Sequence, residues 1–199
     1  GGDGMEHRNS TICSSPANLA KFADRLIGTV SHEFFHCWNV ERIRPASLEP
    51  FHFDHANMSG ELWFAEGFTS YYDDLLLRRA KLIDDTTYFK LINKAINMVL
   101  QAPGRQVQSV AQASFDAWVK YYRQDENTPN ATISYYTKGA LIALCTDLML
   151  RKRGSDLDTL MRTLWHRTSG GPMTEAMVSQ SLREQGFEDV AVQLHDWVH

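Results

Sequence analysis

The sequence predicts a mainly α-helical domain, and two observations carry this prediction. Apolar residues recur every three to four positions through most of the chain, whereas the strict alternation that marks strands is nearly absent. Residues that commonly start or end helices stand at the boundaries of these apolar repeats. At 199 residues the chain can bury a substantial core, and it contains neither repeats nor low-complexity segments. We therefore expect a single domain over residues 1–199, with at most a short β segment near the N-terminus.

The elements are predicted in chain order as follows. Residues 4–13 are expected to be extended, and Ser15-Pro16 to start a helix, with Gly28 as a possible break before a second one. That second helix must stop before Pro45, because the residue preceding a proline disfavours the helical conformation. After a loop over residues 45–59, a long amphipathic helix begins near Ser59. Further helices are predicted to begin at Thr86 and near residues 110, 133, 157, 174 and 190.

Composition and charge exclude several classes of protein. The chain is 43% hydrophobic and 22% charged, as ordinary globular domains are. A net charge of -4 gives no reason to expect a nucleic acid as partner, and no apolar run approaches the ~20 residues that span a bilayer. Three cysteines without framework spacing favour a reducing compartment. We expect a cytoplasmic protein, with a periplasmic or secreted one as the alternative, because the chain opens abruptly and is expected to be part of a longer protein.

The strongest functional motif is His32-Glu33-Phe34-Phe35-His36, which has the pattern H-E-x-x-H. Residues four apart lie above one another on the same helix face, so His32 and His36 can bind one metal ion. Glu33 lies beside them and can reach a water in the open coordination position of that metal. The motif therefore predicts a hydrolytic zinc site holding one ion.

Catalytic zinc usually has three protein ligands, and Glu66 is the candidate for the third. It interrupts an otherwise apolar helical face, where an unpaired carboxylate would be costly unless it faces a metal or a cation. The alternative is a solvated helix residue. Gly67 follows directly and would let another backbone come close. Asp73, two turns further on the same face, is predicted to accept the ring N–H of a ligand histidine, with Asp74 as the alternative.

The chain resembles the gluzincin metallopeptidases in His32-Glu33-x-x-His36 followed by Glu66-Gly67-Phe68-Thr69. The longer pattern over residues 32–45 and 63–72 resembles the glycyl aminopeptidase family, which has a long insert between the second histidine and the glutamate, as this chain does. The resemblance runs from about residue 4 to the C-terminus. It implies a thermolysin-like catalytic domain that, in the full-length protein, follows an N-terminal β-rich region and commonly precedes a PDZ domain.

The resemblance implies two further site residues. Related aminopeptidases have a Gly-x-Met-Glu-type segment whose glutamate binds the free amino terminus of the substrate, and Gly4-Met5-Glu6 matches it, although Asp3 stands where many members have a second glycine. Glu6 is thus the expected amine anchor, with a solvated terminal glutamate as the alternative. In a Tyr-x-Lys-Gly motif the tyrosine donates a hydrogen bond to the developing oxyanion, and Tyr136 matches. Tyr135 is its adjacent competitor.

These residues together predict a zinc aminopeptidase. Glu33 would activate a zinc-bound water, Tyr136 would stabilise the oxyanion, and Glu6 would hold the free amino terminus of a peptide substrate. The resemblance implies a preference for N-terminal glycine or alanine. The alternatives are a zinc endopeptidase, for which Glu6 would be irrelevant, and a non-catalytic zinc-binding or interaction domain, which the presence of Glu33 disfavours.

Several residues have no assigned role at this point. Arg42 and Arg44 continue the family resemblance without a recognisable chemical task. The loop that contains His52 and His55 is expected to pack near the cleft. Outside the motif, no histidine is assigned as a ligand, because no partner at ligand spacing on a common helix face is identified for any of them: His7, His52, His55, His166, His195 and His199.

Overall fold

The structure, a computed structural model, describes residues 3–15 and 18–199. It is mainly helical, which confirms the predicted fold class. Its strands, in chain order, are β1 (Asp3–His7), β2 (Ser10–Ser14), β3 (Arg44–Pro45) and β4 (Pro172–Met173). Its α-helices are α1 (Leu19–Phe35), α2 (Thr69–Arg79), α3 (Asp85–Gln101), α4 (Val110–Phe115), α5 (Thr128–Ala131), α6 (Tyr135–Arg151), α7 (Leu157–Thr168), α8 (Glu175–Glu184) and α9 (Glu188–Val198).

The extended N-terminal segment is an antiparallel hairpin. Strand β1 pairs with β2 in a register that places Gly4 opposite Cys13 and Glu6 opposite Thr11. Side chains alternate between the two faces of a strand, so Gly4 and Glu6 share the half-buried face while Met5 points to solvent. A second strand pair, β3 with β4, is parallel and two residues long, and the sequence did not predict it.

Helix α1 corrects one sequence prediction. The expected break at Gly28 is absent, and a single helix runs from Leu19 to Phe35. Glycine in a helix interior costs about 1 kcal/mol relative to alanine, and the turns on either side are sufficient to carry the helix through it. Pro16, the expected first helical residue, lies outside the described residues. The helix ends well before Pro45, with His36 in the turn that follows it.

Two helical stretches depart from α geometry. Residues Trp63–Phe68 form a π-helical segment that continues directly into α2, where the sequence predicts one regular helix. Residues Ala117–Tyr121 form a second π-helical segment after α4, inside the helix predicted over residues 110–122. Single π-helical turns within longer helices are frequent at functional sites, and the first of them contains Glu66.

The core lies around the π-helical segment and α6. Trp63, Phe64 and Phe68 are fully buried, and they pack with Tyr135 at the start of α6. A fully buried leucine or phenylalanine side chain stabilises the fold by about 1.5–3 kcal/mol, so this cluster holds the segment firmly in place. The core continues into the C-terminal helices through residues that are also fully buried: Leu150, Leu157, Leu160, Leu164, Leu182 and Leu194.

Side-chain caps start the helices that follow. The Asp84 carboxylate accepts a hydrogen bond from the Thr87 amide at the start of α3. Ser134 accepts from the Thr137 amide at the start of α6, which fixes where Tyr135 and Tyr136 enter that helix. Over residues 3–15 and 18–199, no helix combines the length and apolarity that crossing a bilayer requires.

Candidate metal centre and catalytic site

The structure brings together three side chains that can bind a metal. Nε2 of His32 lies 3.1 Å from Oε2 of Glu66, and Nε2 of His36 lies 3.4 Å from the same oxygen. One ligand atom from each of these residues lies within 4.8 Å of those of the other two. Two imidazole nitrogens and a carboxylate oxygen are a donor set that zinc prefers, and these three ligands would leave one coordination position for water or substrate.

In each imidazole, the nitrogen that faces away from Glu66 has a hydrogen-bond partner of its own. Nδ1 of His32 lies 3.0 Å from Oδ2 of Asp73, and Nδ1 of His36 lies 2.8 Å from the backbone oxygen of Asn39. A carbonyl oxygen only accepts hydrogen bonds, so Nδ1 of His36 carries a proton and donates it. In a neutral ring the Nε2 lone pair then faces the Glu66 carboxylate. That arrangement is favourable only if a cation lies between them, and the residues therefore fit a metal ion.

The pKa values of His32 and Glu66 also show that positive charge is favoured at this site. Burial alone would lower the pKa of His32, but its hydrogen bonds to Asp73 and Glu66 raise that pKa to about 10. Burial alone would raise the pKa of Glu66, but its contacts with His32 and His36 lower it to about 2. The site thus contains an ionised carboxylate whose neighbours are driven to take up a proton or another cation.

Glu33 is buried beside these residues. The residue is 7% exposed, and Oε2 has no hydrogen-bond partner among the described residues. Burial raises the pKa of Glu33, and the negative charge of Glu6 adds to this effect. An orphaned, buried carboxylate oxygen of raised basicity is what a general base needs when its proton donor is a water or a substrate.

Glu6 belongs to the same cluster. It projects from the half-buried face of β1, and one of its oxygens lies within 4.8 Å of ligand atoms of Glu33 and His36. Asp3, the departure from the family pattern, is exposed, and its carboxylate accepts a hydrogen bond from the Gly4 amide. The hairpin geometry is therefore kept with aspartate at this position.

Asn39 connects the two halves of the candidate metal centre. Its side-chain amide lies 3.1 Å from the carbonyl oxygens of Phe64 and Ala65, within the π-helical segment that contains Glu66. Its own backbone oxygen accepts the hydrogen bond from His36. Asn39 thus positions both His36 and the π-helical segment that contains Glu66. Asn39 lies within the family pattern over residues 32–45, but no local pattern indicates this role.

The residue after Asn39 has a strained backbone conformation. Val40 has a φ of 116°, which a β-branched residue rarely adopts. Nε of Arg44 donates to the Val40 carbonyl oxygen at 3.0 Å and holds the loop in this conformation. Arg44 thus stabilises the turn that follows the second histidine, a structural role that the sequence did not indicate.

Arg42 ties the same loop to the N-terminal hairpin. Its guanidinium donates to the backbone oxygens of Arg8 and Cys37 and lies 3.4 Å from Oδ1 of Asn9. Arg8 and Asn9 form the turn between β1 and β2, so Arg42 holds in place the hairpin that carries Glu6. This long-range contact has no local sequence pattern that could have revealed it.

Tyr136 lies at the edge of the centre, whereas Tyr135 does not. The Tyr136 ring centroid lies 6.1 Å from that of His32, and burial together with the nearby Glu66 charge raises the pKa of Tyr136 far above its usual value. The phenol is therefore protonated and able to donate. Tyr135 is 1% exposed and packs in the core.

Two facing glycines bring Tyr136 close to the candidate metal centre. A Cβ atom on Gly67 would lie 2.5 Å from Cα of Gly139, and one on Gly139 would lie 2.5 Å from the carbonyl oxygen of Trp63. The π-helical segment and α6 therefore cross with their backbones in contact. Gly67 does permit close approach of another backbone, as the sequence indicated.

The remaining histidines differ from expectation. The insert loop does not pack throughout, since Phe53 is 97% exposed, and His52 and His55 stack on each other at its surface. The prediction that no histidine outside the motif has a partner at ligand spacing was wrong for His195 and His199. They lie four residues apart, and the structure brings both of them to Glu175.

Comparison with known proteins agrees with this geometry. Residues 25–142 match the M61 glycyl aminopeptidase family. The whole chain superimposes with a TM-score of 0.90 and 36% sequence identity on a crystal structure of an aminopeptidase N family protein from Idiomarina loihiensis, and it covers 36% of that chain. No curated protein matches this sequence significantly.

The family match extends over more than half of the chain and includes His32, Glu33, His36, Glu66 and Tyr136. The sequence-based prediction of a peptidase family is therefore confirmed. The chain belongs to the M61 glycyl aminopeptidase family.

Proposed function

We propose that this chain is the catalytic domain of a zinc aminopeptidase that hydrolyses the N-terminal peptide bond of peptides, with a preference for N-terminal glycine or alanine. The observation that carries the proposal is the placement of two further carboxylates, Glu33 and Glu6, within reach of His36 and of each other. A metal centre with one adjacent carboxylate serves any zinc hydrolase. A second carboxylate at this distance suits an enzyme that recognises the substrate ammonium one residue from the scissile bond.

His32, His36 and Glu66 would hold the zinc ion, with Asp73 and the Asn39 carbonyl fixing the orientation of the two imidazoles. The bound ion supplies Lewis acidity and lowers the pKa of water to about 7. In the proposed reaction Glu33 takes a proton from the attacking water. It then passes that proton to the leaving amine nitrogen as the C–N bond breaks.

The other two residues act on the substrate. The ammonium group of the peptide forms an ion pair with Glu6, which fixes the position of the first residue. The Tyr136 hydroxyl donates a hydrogen bond to the carbonyl oxygen as negative charge develops on it. Its raised pKa supports this role, because the phenol keeps its proton throughout the reaction.

The proposal concerns a domain, since the chain spans about a third of the length of the solved relative. By resemblance to its family, the full-length protein would also contain an N-terminal β-rich region and a PDZ domain. The β-rich region would support the hairpin that carries Glu6, so activity should be measured both on the 199-residue chain and on the full-length protein.

The decisive experiment compares substrates that differ only at the amino terminus. We expect hydrolysis of glycyl and alanyl anilides, slower hydrolysis of leucyl anilide, and none of the N-acetylated glycyl anilide. Equal hydrolysis of the acetylated substrate would exclude an aminopeptidase and favour the endopeptidase alternative.

Glu33→Gln separates the enzyme from a non-catalytic zinc domain. The variant should contain as much zinc as the unmutated protein, measured by metal analysis, and lose turnover. Zinc binding without any hydrolysis in the unmutated full-length protein would instead favour the non-catalytic alternative. Wild-type turnover in Glu33→Gln would refute the proposed role of Glu33.

A further inference from the structure

A second group of metal-binding side chains lies at the C-terminal end of the chain. His195 and His199 are four residues apart at the end of α9, and their ring centroids are 4.6 Å apart. Both rings turn towards Glu175, the first residue of α8. Nδ1 of His195 lies 3.4 Å from Oε1 of Glu175, and Nε2 of His199 lies 3.0 Å from the same oxygen.

We propose that Glu175, His195 and His199 form a second, surface metal site for a divalent transition ion such as Zn²⁺. Ligand atoms of the three residues lie within 4.8 Å of one another, the same closeness that relates His32, His36 and Glu66. The donor set is also the same, two imidazole nitrogens and one carboxylate oxygen. Such a set binds zinc, copper or nickel in preference to calcium or magnesium, which favour oxygen ligands.

Packed helices position the three side chains of this group. Glu175 and His195 belong to packed helices, and the His199 amide donates to the His195 carbonyl oxygen at 3.0 Å, which continues the helical turn. The Glu175 side chain is 23% exposed, whereas the two imidazoles are 61% and 46% exposed. The carboxylate is therefore held in place by its surroundings, and the histidines keep an open side for water ligands.

The insert loop offers a competing group, His52, Asp54 and His55, and it is less suitable. All three residues are exposed and follow one another in a loop, where Asp54 and His55 contact each other as chain neighbours. Ligands on packed helices lose less conformational entropy on binding than ligands on an exposed loop, so the C-terminal group is favoured.

An ion at this site would brace the fold. It would join the first residue of α8 to the last turn of α9. The Glu175 amide in turn donates to the Glu61 carboxylate at 3.1 Å, and the Glu61 carbonyl oxygen accepts from the Phe64 amide of the π-helical segment. The proposed site is thus a structural clamp, separate in its residues from the catalytic centre.

The test counts zinc ions by equilibrium dialysis at micromolar free zinc, using the full-length protein. We expect His195→Ala and His199→Ala to bind one equivalent fewer than the unmutated protein and to keep their peptidase activity. Glu175→Gln, which retains size and hydrogen bonding, should weaken the same equivalent at least tenfold. Zinc should also raise the melting temperature of the unmutated protein above that of His195→Ala.

The matched control is His55→Ala, which removes a histidine of the competing loop. It should bind as many zinc ions as the unmutated protein. An unchanged count in His195→Ala would overturn the proposal, as would loss of the additional equivalent in His55→Ala. The zinc count is a difference between proteins in which His32, His36 and Glu66 are unchanged, so the count does not depend on the proposed peptidase activity.

Discussion

A Cβ atom on Gly4 would lie 2.1 Å from Oε1 of Glu33, so strand β1 places its bare backbone against the proposed general base. Side chains of a strand repeat with a period of two, and Glu6 therefore projects on the same side as Gly4. One strand thus confines the carboxylate of Glu33 and presents the proposed amine anchor beside it. The backbone of β1 therefore sets the distance between the carboxylates of Glu33 and Glu6.

Gly4→Ala should displace the Glu33 carboxylate without removing any proposed functional group. A misplacement of about 1 Å costs on the order of 10²-fold in rate, and we expect a loss of this size in kcat. Zinc content should stay at the level of the unmutated protein. Met5→Ala is the control, because Met5 is 57% exposed on the opposite face. Full activity of Gly4→Ala would show that Glu33 does not need this position.

Tyr136→Phe removes the proposed oxyanion donor and keeps the ring. Loss of one such donor should lower kcat by about 10²–10³, with a small change in KM. Tyr135→Phe is the matched control, since it deletes the same hydroxyl from the neighbouring tyrosine in the core. It should reduce the free energy of unfolding and leave kcat nearly unchanged. Equal kinetic effects of the two substitutions would argue against a specific role for Tyr136.

Gly67→Ala should destabilise the protein strongly. The added methyl group would meet the backbone of α6 at Gly139 and at the carbonyl oxygen of Tyr135, and a backbone cannot rotate away as a side chain can. Overpacking of this kind costs about 1–3 kcal/mol or more. Gly28→Ala is the contrasting case, because no described atom apart from the chain neighbours and the nearby backbone of its own helix lies within 4 Å of the new methyl group. In α1 it should stabilise by about 1 kcal/mol, as urea unfolding can measure.

The two glycines also indicate what the sequence could predict. Helix positions follow from local periodicity and caps, which is why α3, α4, α6, α7, α8 and α9 begin close to where they are expected, whereas the short helix α5 was not predicted. The break at Gly28 was wrong because a single glycine is a weak local penalty that long flanking helical turns outweigh. The contact of Gly67 with Gly139, and the ties made by Arg42 and Asn39, depend on which elements meet in space. No local pattern contains that information.

Asp73→Asn should weaken the metal centre without removing a ligand. The carboxylate accepts the hydrogen bond from Nδ1 of His32, which fixes the ring and makes the opposite nitrogen more basic. Loss of its charge should lower zinc affinity by about 10–100-fold, as competition with a chelator can measure. Asp74→Asn, one residue further, should leave zinc affinity unchanged. A similar loss in both variants would show that net charge, and not this contact, is responsible.

Asp74 should instead control how stability depends on pH. Burial, and then the charge of Asp73, raise the pKa of Asp74 from 3.8 to about 7. Tyr88 of α3 interacts electrostatically with Asp74, and burial raises the pKa of Tyr88, so this phenol stays protonated over this range. Between these two pH values the folded protein holds a proton that the unfolded chain has lost. The stabilising contribution is therefore full below pH 4 and is lost as pH rises to about 7.

Asp74→Asn removes this dependence, because asparagine is neutral at every pH. The difference between 3.8 and about 7 corresponds to about 4 kcal/mol, which contact with solvent reduces to on the order of 1–2 kcal/mol. The variant should therefore unfold at higher urea than the unmutated protein at pH ~8, and at a similar concentration near pH ~4. Glu126→Gln, at an exposed position, is the control. It should unfold at the same urea concentration as the unmutated protein at both pH values. A gain of equal size at both pH values would mean that packing, and not the charge of Asp74, limits stability here.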